Sequence, residues 1–233
     1  MIFFENVTKV YEDTCVKALD NVSFHIKPGE LNFLLGESGS GKTTLLRLII
    51  RDICPDTGKI LINGQDINKI SNRNIPEYRR RLGIVFQDYK LINDKTVYQN
   101  IALAKIISGS NKKDINKHVA TVLKMVGLEK KFSKLPSELS GGEKQKAAIA
   151  RAIVGHPDII VADEPTGNLD PQNAKEIMTL FEKIKDSLGI TVLIATHDMQ
   201  AIEDLKYNRL QLTDGKLLQA ADNEKIKLIC DEK

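Results

Sequence analysis

Apolar residues along the chain fall into short continuous runs separated by segments with helical spacing. Continuous runs at 31–35 ("LNFLL"), 158–163 ("DIIVAD") and 191–196 ("TVLIAT") predict strands that are buried on both faces. Ala174–Leu188, between the last two runs, has the spacing of an amphipathic helix. A strand, a helix and a strand in this order indicate a parallel sheet with a right-handed crossover.

The remaining segments divide into a β-rich beginning and a helical middle. Segments 2–11 ("IFFENVTKVY") and 21–36 ("NVSFHIKPGELNFLLG") predict an antiparallel sheet that leads into the strand at 31–35. A hairpin is predicted around Asn63-Gly64, and "LGIVF" at 82–86 predicts another short strand. From Val97 to Val154 the periodicity is helical, and Gly127 is a predicted helix stop after one apolar face, formed by Ile115, Val119, Val122 and Val126. We therefore expect an α/β core interrupted by a helical insert.

A glycine-rich segment separates the strand at 31–35 from the next apolar helical face. Gly36–Thr43 matches the spacing G-x-x-x-x-G-K-[ST] at every fixed position. Glycines let backbone N–H groups approach a phosphate, and the following helix N-terminus adds a positive dipole. Lys42 is expected to reach the β- and γ-phosphates and Thr43 to bind Mg²⁺. The alternative is a glycine-rich turn without a ligand, but the order of strand, loop, lysine and hydroxyl favours a nucleoside triphosphate.

Polar residues follow three of the predicted strands. Asp163-Glu164 ends the run at 159–162, and a buried acidic pair is costly unless it has a function. We expect Asp163 to hold Mg²⁺ and Glu164 to be the general base for water. His197 follows a neighbouring strand, so it is expected at the same sheet edge, where it would contact the γ-phosphate. Gln87 follows "LGIVF" and is a weaker candidate for contact with a metal-bound water.

A second predicted anion site precedes the helix in "LSGGEKQKAAIARAI" (139–153). Ser140, Gly141 and Gly142 place a hydroxyl and exposed amides at its N-terminus. One triphosphate does not obviously fill two such sites within a single subunit.

Composition narrows the class of protein. The chain has 233 residues, a net charge of +3 and 42% hydrophobic residues, which suit one α/β domain without a nucleic-acid partner. There is no apolar run of membrane-spanning length and no signal-peptide pattern, so we expect a cytosolic protein unless a partner holds it at a membrane. Three unpaired cysteines indicate reduced thiols. The arginines at 79–81 and the lysine-rich tail at 224–233 are interpreted as solvated surface, with a binding patch as the alternative. His25, His118 and His156 are interpreted as structural or solvent-facing.

Together these motifs resemble the ATP-binding-cassette (ABC) ATPases over residues 2–218. The resemblance rests on Gly36–Thr43, Gln87, Leu139–Glu143, Ile159–Glu164 and Asn168-Leu169-Asp170 followed by His197. It implies a single domain over 1–233 with a RecA-like parallel-sheet core, an N-terminal antiparallel β-subdomain and an α-helical subdomain inserted at about 91–154. It also implies that two cassettes pack head to tail, so that one subunit's second anion site covers the other's ATP.

The resemblance assigns a role to each site residue. Lys42, Gln87, Glu164 and His197 are the implied catalytic residues, and Thr43, Gln87 and Asp163 the implied Mg²⁺ ligands. ATP would contact Tyr11, Gly36, Glu37, Ser38, Gly39, Ser40, Gly41, Lys42, Thr43 and Thr44, and from the partner subunit Ser140, Gly141, Gly142, Glu143 and Asp170. Tyr11 would stack on adenine, although a strand-edge tyrosine without this role is the alternative.

Two features depart from the family pattern. Lys144 and Lys146 stand where many members have arginine, which weakens any specific role for those positions. Glu37 adds a carboxylate to the phosphate loop, and we expect it to point to solvent.

Within the family, "FQDYKLINDKTVYQN" (86–100) and "ADEPTGNLDP" (162–171) are most similar to the cell-division branch. This similarity implies an ATPase at the cytoplasmic face of the membrane, whose integral membrane partner controls peptidoglycan hydrolases. By the family resemblance, the groove of the α-helical subdomain beside Gln87 would receive a helix of that partner. Other division proteins are further expected partners. Cassettes of lipoprotein-release or macrolide-export type are the alternative, because they share "DEPTGNLD". A chromosome or repair ATPase would need long insertions, and a small-molecule kinase would not need "LSGGE" or His197.

Overall fold

The computed structural model describes residues 1–221. Ten strands lie at β1 Ile2–Tyr11, β2 Val16–Ile26, β3 Leu31–Leu35, β4 Thr57–Ile62, β5 Gln65–Asp66, β6 Leu82–Val85, β7 Ile159–Asp163, β8 Thr191–Thr196, β9 Asn208–Thr213 and β10 Lys216–Ala221. Six α-helices lie at α1 Lys42–Ile49, α2 Ile75–Arg80, α3 Val97–Ile107, α4 Lys112–Val126, α5 Gly141–Ile153 and α6 Pro171–Leu188.

The larger sheet has six strands in the order β10-β9-β3-β8-β7-β6. Strands β9, β3, β8, β7 and β6 are parallel, and β10 adds an antiparallel edge. The predicted unit β7–α6–β8 is present, and the two strands pair with Asp163 opposite Ala195. Because parallel strands end on the same side, the loops after β3, β6, β7 and β8 meet at one edge of this sheet.

Alternation of side chains along the parallel strands creates two cores. Phe33, Ile160 and Ile194 pack toward the helical side, whereas Leu34, Val161 and Leu193 pack toward α1 and the smaller sheet. The smaller sheet is antiparallel, in the order β2-β1-β4-β5, and turns at Asn63-Gly64 as predicted. Its inner face closes the second core. This arrangement holds the phosphate loop rigidly between a buried strand and a helix that is buried on one face.

The helical region follows β6 and precedes β7. Asn111 caps the N-terminus of α4 and Gly127 ends that helix in the left-handed conformation, at a φ of 72°. The apolar face predicted for α4 is buried, at Ile115, Val119, Val122 and Val126. The bounds 91–154 of the inserted subdomain stay a prediction, and three helices lie within them.

Three details differ from the sequence-based expectations. Helix α6 begins at Pro171, three residues before the predicted start, because Asp170 caps it and proline suits the first helical position. Strands β9 and β10 were not predicted. Arg79 donates to the Ile50 carbonyl at 3.0 Å and Arg81 pairs with Asp158 at 2.8 Å, so these exposed arginines also tie loops together.

The cysteines that the structure describes lie at the surface. Cys15 and Cys54 are free and exposed. Cys230 and the lysine-rich tail lie outside the described residues. Within residues 1–221, none of the helices combines the length and the apolar character needed to cross a bilayer.

Candidate nucleotide-binding site

The phosphate loop runs from β3 into α1 through a left-handed turn at Gly41. Gly41 has a φ of 106°, and a Cβ there would lie 2.3 Å from the Ala18 carbonyl oxygen, so only glycine fits. Lys42 follows as the first residue of α1, with a side chain that is almost fully buried. Its ammonium donates to the carbonyls of Gly36 at 2.7 Å and Glu37 at 2.9 Å. The loop therefore holds its cation at the centre of the turn.

Glu164, Lys42 and His197 converge at the edge of the sheet. Glu164 follows β7 and His197 follows β8, and the two strands are neighbours. The Glu164 carboxylate lies 3.0 Å from His197 Nδ1 and 3.6 Å from Lys42 Nζ. Glu164 has a φ of 45°, a conformation that is uncommon for a residue with a side chain and clusters at functional sites. A carboxylate between a lysine and an imidazole is suited to accepting a proton from water.

Asp163 lies beside the hydroxyl of Thr43. Thr43 Oγ1 donates to Asp163 Oδ1 at 3.3 Å, which joins the start of α1 to the end of β7. Burial raises the pKa of Asp163, and the neighbouring Glu164 charge raises it further, although the Thr43 hydrogen bond and Lys42 oppose the shift. A hydroxyl and a partly buried carboxylate are oxygen ligands of the kind Mg²⁺ prefers, and a cation would compensate for this burial. The donor set therefore fits Mg²⁺.

Gln87 follows β6 and is linked to the loop that precedes α6. Asn168 Nδ2 donates to the Gln87 backbone carbonyl at 3.1 Å. A Cβ at Gly167 would lie 3.0 Å from Gln87 Nε2, so the two loops are in close contact.

A cavity of about 740 Å³ opens between the phosphate loop, the β1–β2 hairpin and the ends of β6, β7 and β8. Of the predicted site residues, its walls include Tyr11, Glu37, Ser38, Gly39, Gly41, Lys42, Thr43, Thr44, Gln87, Glu164 and His197. Gly36, Ser40 and Asp163 do not contribute to its walls. Asp163 instead lines a second cavity of about 370 Å³, which Thr43 separates from the first.

Three further residues line this cavity and were not predicted from the sequence. Thr14, Val16 and Ala18 line it from the β1–β2 hairpin, where Val16 pairs with Tyr11. Val16 is an exposed hydrophobic residue, which suits an apolar ring. The Tyr11 hydroxyl lies 3.3 Å from Thr44 Oγ1 and within 3.5 Å of Arg47 Nη1, and its stacking role stays a prediction.

The second predicted anion site lies apart from the cavity. None of Ser140–Glu143 lines it, and neither does Asp170. Ser140 caps α5 by accepting from Glu143 N at 3.3 Å, and the Glu143 carboxylate accepts from Ser140 N at 3.0 Å. That backbone hydrogen bond is the main reason why the pKa of Glu143 is lowered, and Lys131 lowers it further.

The glycines of this site lie close to the start of α6 and to the loop before it. A Cβ at Gly142 would lie 2.8 Å from Asn173 Oδ1, and one at Gly141 would lie 3.2 Å from Leu169 Cδ2. Asp170 caps α6 and accepts from Asn173 N at 3.0 Å. Hydrogen bonds from Asn173 lower the pKa of Asp170. The residues predicted to act on a partner's ATP thus form one surface, separate from the chain's own cavity.

This chain is similar in sequence to known proteins of one family. The family model described as ABC transporter matches residues 19–167. The chain is 47% identical over 217 residues to the cell division ATP-binding protein FtsE of Escherichia coli strain K12, covering 93% of this chain and 97% of that protein. It is 44% identical over 219 residues to FtsE of Streptococcus pneumoniae serotype 2 strain D39, covering 94% of both.

The fold also resembles that of a solved ATP-binding cassette. The dimeric post-hydrolysis structure of the ATP-binding cassette MJ0796 bound to ADP and Pi superposes with a TM-score of 0.85 at 34% identity, covering 95% of this chain and 98% of that one. The chain therefore belongs to the ABC ATPases and, within them, to the FtsE family of cell-division ATP-binding proteins. The predicted family and fold class are confirmed.

Proposed function

We propose that this chain is the ATP-hydrolysing subunit of a membrane-bound complex of the FtsEX type. Its cytoplasmic ATP turnover would act through an integral membrane partner of FtsX type on peptidoglycan hydrolases during cell division. The observation that carries the proposal is the convergence of Lys42, Glu164 and His197 on one cavity whose walls lack Ser140–Glu143. A site with a base and a phosphate loop, but without its second anion site, calls for another copy of the chain.

In this proposal, ATP lies in the cavity with its phosphates against the loop. Lys42 exchanges its carbonyl partners for the β- and γ-phosphates, and the amides of Gly36–Thr44 donate to phosphate oxygens. Tyr11 stacks on adenine. Thr43, Asp163 and Gln87 would hold Mg²⁺, which would neutralise phosphate charge.

The chemistry is assigned to Glu164 and its neighbours. Glu164 accepts a proton from the attacking water as it adds to the γ-phosphorus and the bond to the β-phosphate oxygen breaks. His197 orients the Glu164 carboxylate through Nδ1, and its imidazole is placed to contact the γ-phosphate. In a head-to-tail homodimer, Ser140–Glu143 and Asp170 of one subunit would close over ATP bound to the other.

We place the membrane partner at the second cavity. Phe86, next to Gln87, lines it together with Leu46, Ile50 and Arg79. These walls belong to α1 and its end, to α2 and to the end of β6, so the proposed docking place differs from the groove of the helical subdomain that the resemblance implies. Because Thr43 borders both cavities, a helix docked there would contact the nucleotide site directly. The proposed location of the chain is thus peripheral, at the cytoplasmic face of the membrane.

The chemical part is tested by steady-state hydrolysis of Mg²⁺-ATP and by nucleotide binding. Glu164→Gln is expected to lower turnover by at least about 100-fold and to retain ATP binding, since it removes the base but not the phosphate contacts. Lys42→Ala is expected to weaken ATP binding by about 10- to 100-fold, since it removes charge-assisted hydrogen bonds. Unchanged hydrolysis in either variant would contradict the site assignment.

The cellular part is tested by purifying tagged Glu164→Gln from native membranes with Mg²⁺ and ATP. Recovery of an integral membrane protein together with regulators of cell-wall hydrolases is the expected result. Recovery of a permease with an adaptor or an outer-membrane channel would contradict the division role and leave the ATP site unchanged.

A further inference from the structure

A third cavity lies on the side of the molecule formed by α4, α5 and α6. It is a groove of about 490 Å³ and shares no lining residue with the nucleotide cavity or with the second cavity, which Asp163 and Phe86 line. One wall is α6, from Gln172 to Lys183, and the other combines the end of α4 with Lys146 of α5. The proposed function leaves this groove without a role.

The groove is strongly basic. Its lining contains four lysines and one carboxylate, which are Lys124, Lys146, Lys175, Lys183 and Glu176. Lys146 pairs with Glu176 at 3.1 Å, and Lys175 pairs with Asp204 at 3.4 Å. Neither Lys124 nor Lys183 has a carboxylate within 4.0 Å among residues 1–221. The lining therefore presents a positive surplus on both walls to any occupant.

The floor of the groove is apolar. Val126 and Leu180 are buried there, and Met125 is half-buried beside them. The α6 wall presents a single helical face formed by the exposed residues Gln172, Lys175 and Lys183 and the half-buried Thr179. At about 1.5 Å per residue this face runs for about 16 Å, which matches about five residues of extended chain.

We propose that this groove binds an acidic peptide segment of a partner protein that carries an apolar side chain between its carboxylates. The lysines on both walls would pair with the carboxylates, and the apolar side chain would cover Val126 and Leu180. A single phosphate or lipid headgroup would meet the lysines at only one point, whereas the charges extend along the whole wall. Charge complementarity and the linear shape thus favour a peptide.

The groove joins two parts of the fold. Its walls belong to α4 and α5 on one side and to α6 on the other, and Asp170 is the N-cap of α6. The Lys146–Glu176 pair crosses the groove and is partly exposed, so an acidic segment can compete with Glu176 for Lys146. A bound segment would consequently contact both the helical region and α6, the helix that Asp170 caps.

The test measures anisotropy of a fluorescein-labelled peptide in which leucines alternate with pairs of glutamates, titrated with the full-length chain at low salt. Lys124→Glu combined with Lys183→Glu is expected to weaken binding at least tenfold without breaking a described ion pair. The matched control is Lys112→Glu with Lys117→Glu, which makes the same charge change at exposed positions of α4 outside the groove. The control pair is expected to bind within about twofold of the unmodified chain.

Three outcomes would overturn the proposal. The first is no saturable binding by the unmodified chain. The second is equal weakening by both lysine pairs, since this would show non-specific attraction to a basic surface. The third is binding of anionic phospholipid vesicles that depends on Lys124 and Lys183 while the peptide does not bind, since the groove would then be a lipid site. Circular dichroism and thermal unfolding of each variant verify that it is folded.

Discussion

At the end of β7, the Asp163 carboxylate is suited to binding a cation but lowers the stability of the protein when no cation is bound. Asp163 is partly buried next to Glu164, and burial raises its pKa. The stability associated with a raised carboxyl pKa is present below the unfolded-state pKa and is lost as pH rises through the folded-state pKa. At neutral pH, the ionised Asp163 therefore lowers the stability of the nucleotide-free protein. Such a loss of stability is expected for a metal-binding carboxylate when its cation is not bound.

Asp163→Asn is expected to raise the Tm of the nucleotide-free protein at neutral pH. The amide removes the buried charge and keeps an oxygen that can accept from Thr43. The gain is expected to disappear at acidic pH, where the unmodified Asp163 is protonated. Thermal unfolding at the two pH values measures both effects.

The matched control is Asp94→Asn, which removes an exposed carboxylate and is expected to leave Tm unchanged at both pH values. With Mg²⁺ and ATP added the order should reverse, because the unmodified chain gains more from the bound cation than the asparagine variant does. A lower Tm for Asp163→Asn without nucleotide would show that the ionised carboxylate stabilises the fold.

Residue-scale features were predictable where they depend on the order of strands. Glu164 and His197 were expected at one edge because each follows a buried parallel strand, and they lie 3.0 Å apart. Thr14, Val16 and Ala18 were not expected to line the cavity. Their position depends on how the β1–β2 hairpin folds over the phosphate loop, and side-chain register in a hairpin with several irregular pairs cannot be read from one sequence.

Helix α5 shows how one element serves two purposes. Within the chain, Ser140 and Glu143 satisfy the backbone amides at the N-terminus of this helix. In the proposed dimer, the Ser140 hydroxyl would also contact a partner's phosphate. The two roles of residue 140 can be separated by charge. A negatively charged side chain still caps the helix, but a phosphate repels it.

Ser140→Ala is expected to lower the free energy of unfolding by about 1 kcal/mol, because it removes the cap. Ser140→Asp is expected to retain most of that stability, because aspartate is a good cap. Both variants are expected to lose ATP-dependent dimerisation. Denaturant unfolding and size-exclusion chromatography of both variants measure the two properties. Normal dimerisation of Ser140→Asp would contradict the phosphate contact.

Among the helices and strands, the sequence predicted best those whose signals are local, such as amphipathic spacing or a helix-ending glycine. The apolar face of α4 and its stop at Gly127 were predicted because amphipathic spacing and a left-handed glycine are local features. The β9–β10 hairpin was not predicted, although Asp214-Gly215 is a recognised hairpin turn sequence. Asp170-Pro171 likewise marked the start of α6 before the apolar periodicity began.

The whole molecule consists of two cores on opposite faces of one sheet. The nucleotide cavity lies at the sheet edge between the β1–β2 hairpin and the strand ends, and Ser140–Glu143 and Asp170 form a separate surface. The sequence predicted both anion sites and indicated that one triphosphate does not fill both within one subunit, whereas their positions in space depend on how α3, α4 and α5 pack. The family resemblance supplied the interpretation that two chains combine these surfaces.

Glu164→Gln is expected to form a stable homodimer in the presence of Mg²⁺ and ATP. Without the base, ATP stays intact between the two subunits, and its phosphates connect Lys42 of one chain to Ser140 of the other. Size-exclusion chromatography with light scattering measures the mass with and without nucleotide. The double variant Glu164→Gln with Lys42→Ala is the control and should remain monomeric, since it lacks the phosphate contact. If Glu164→Gln binds ATP but stays monomeric, then Ser140–Glu143 has another role, and the head-to-tail arrangement proposed for this chain is wrong.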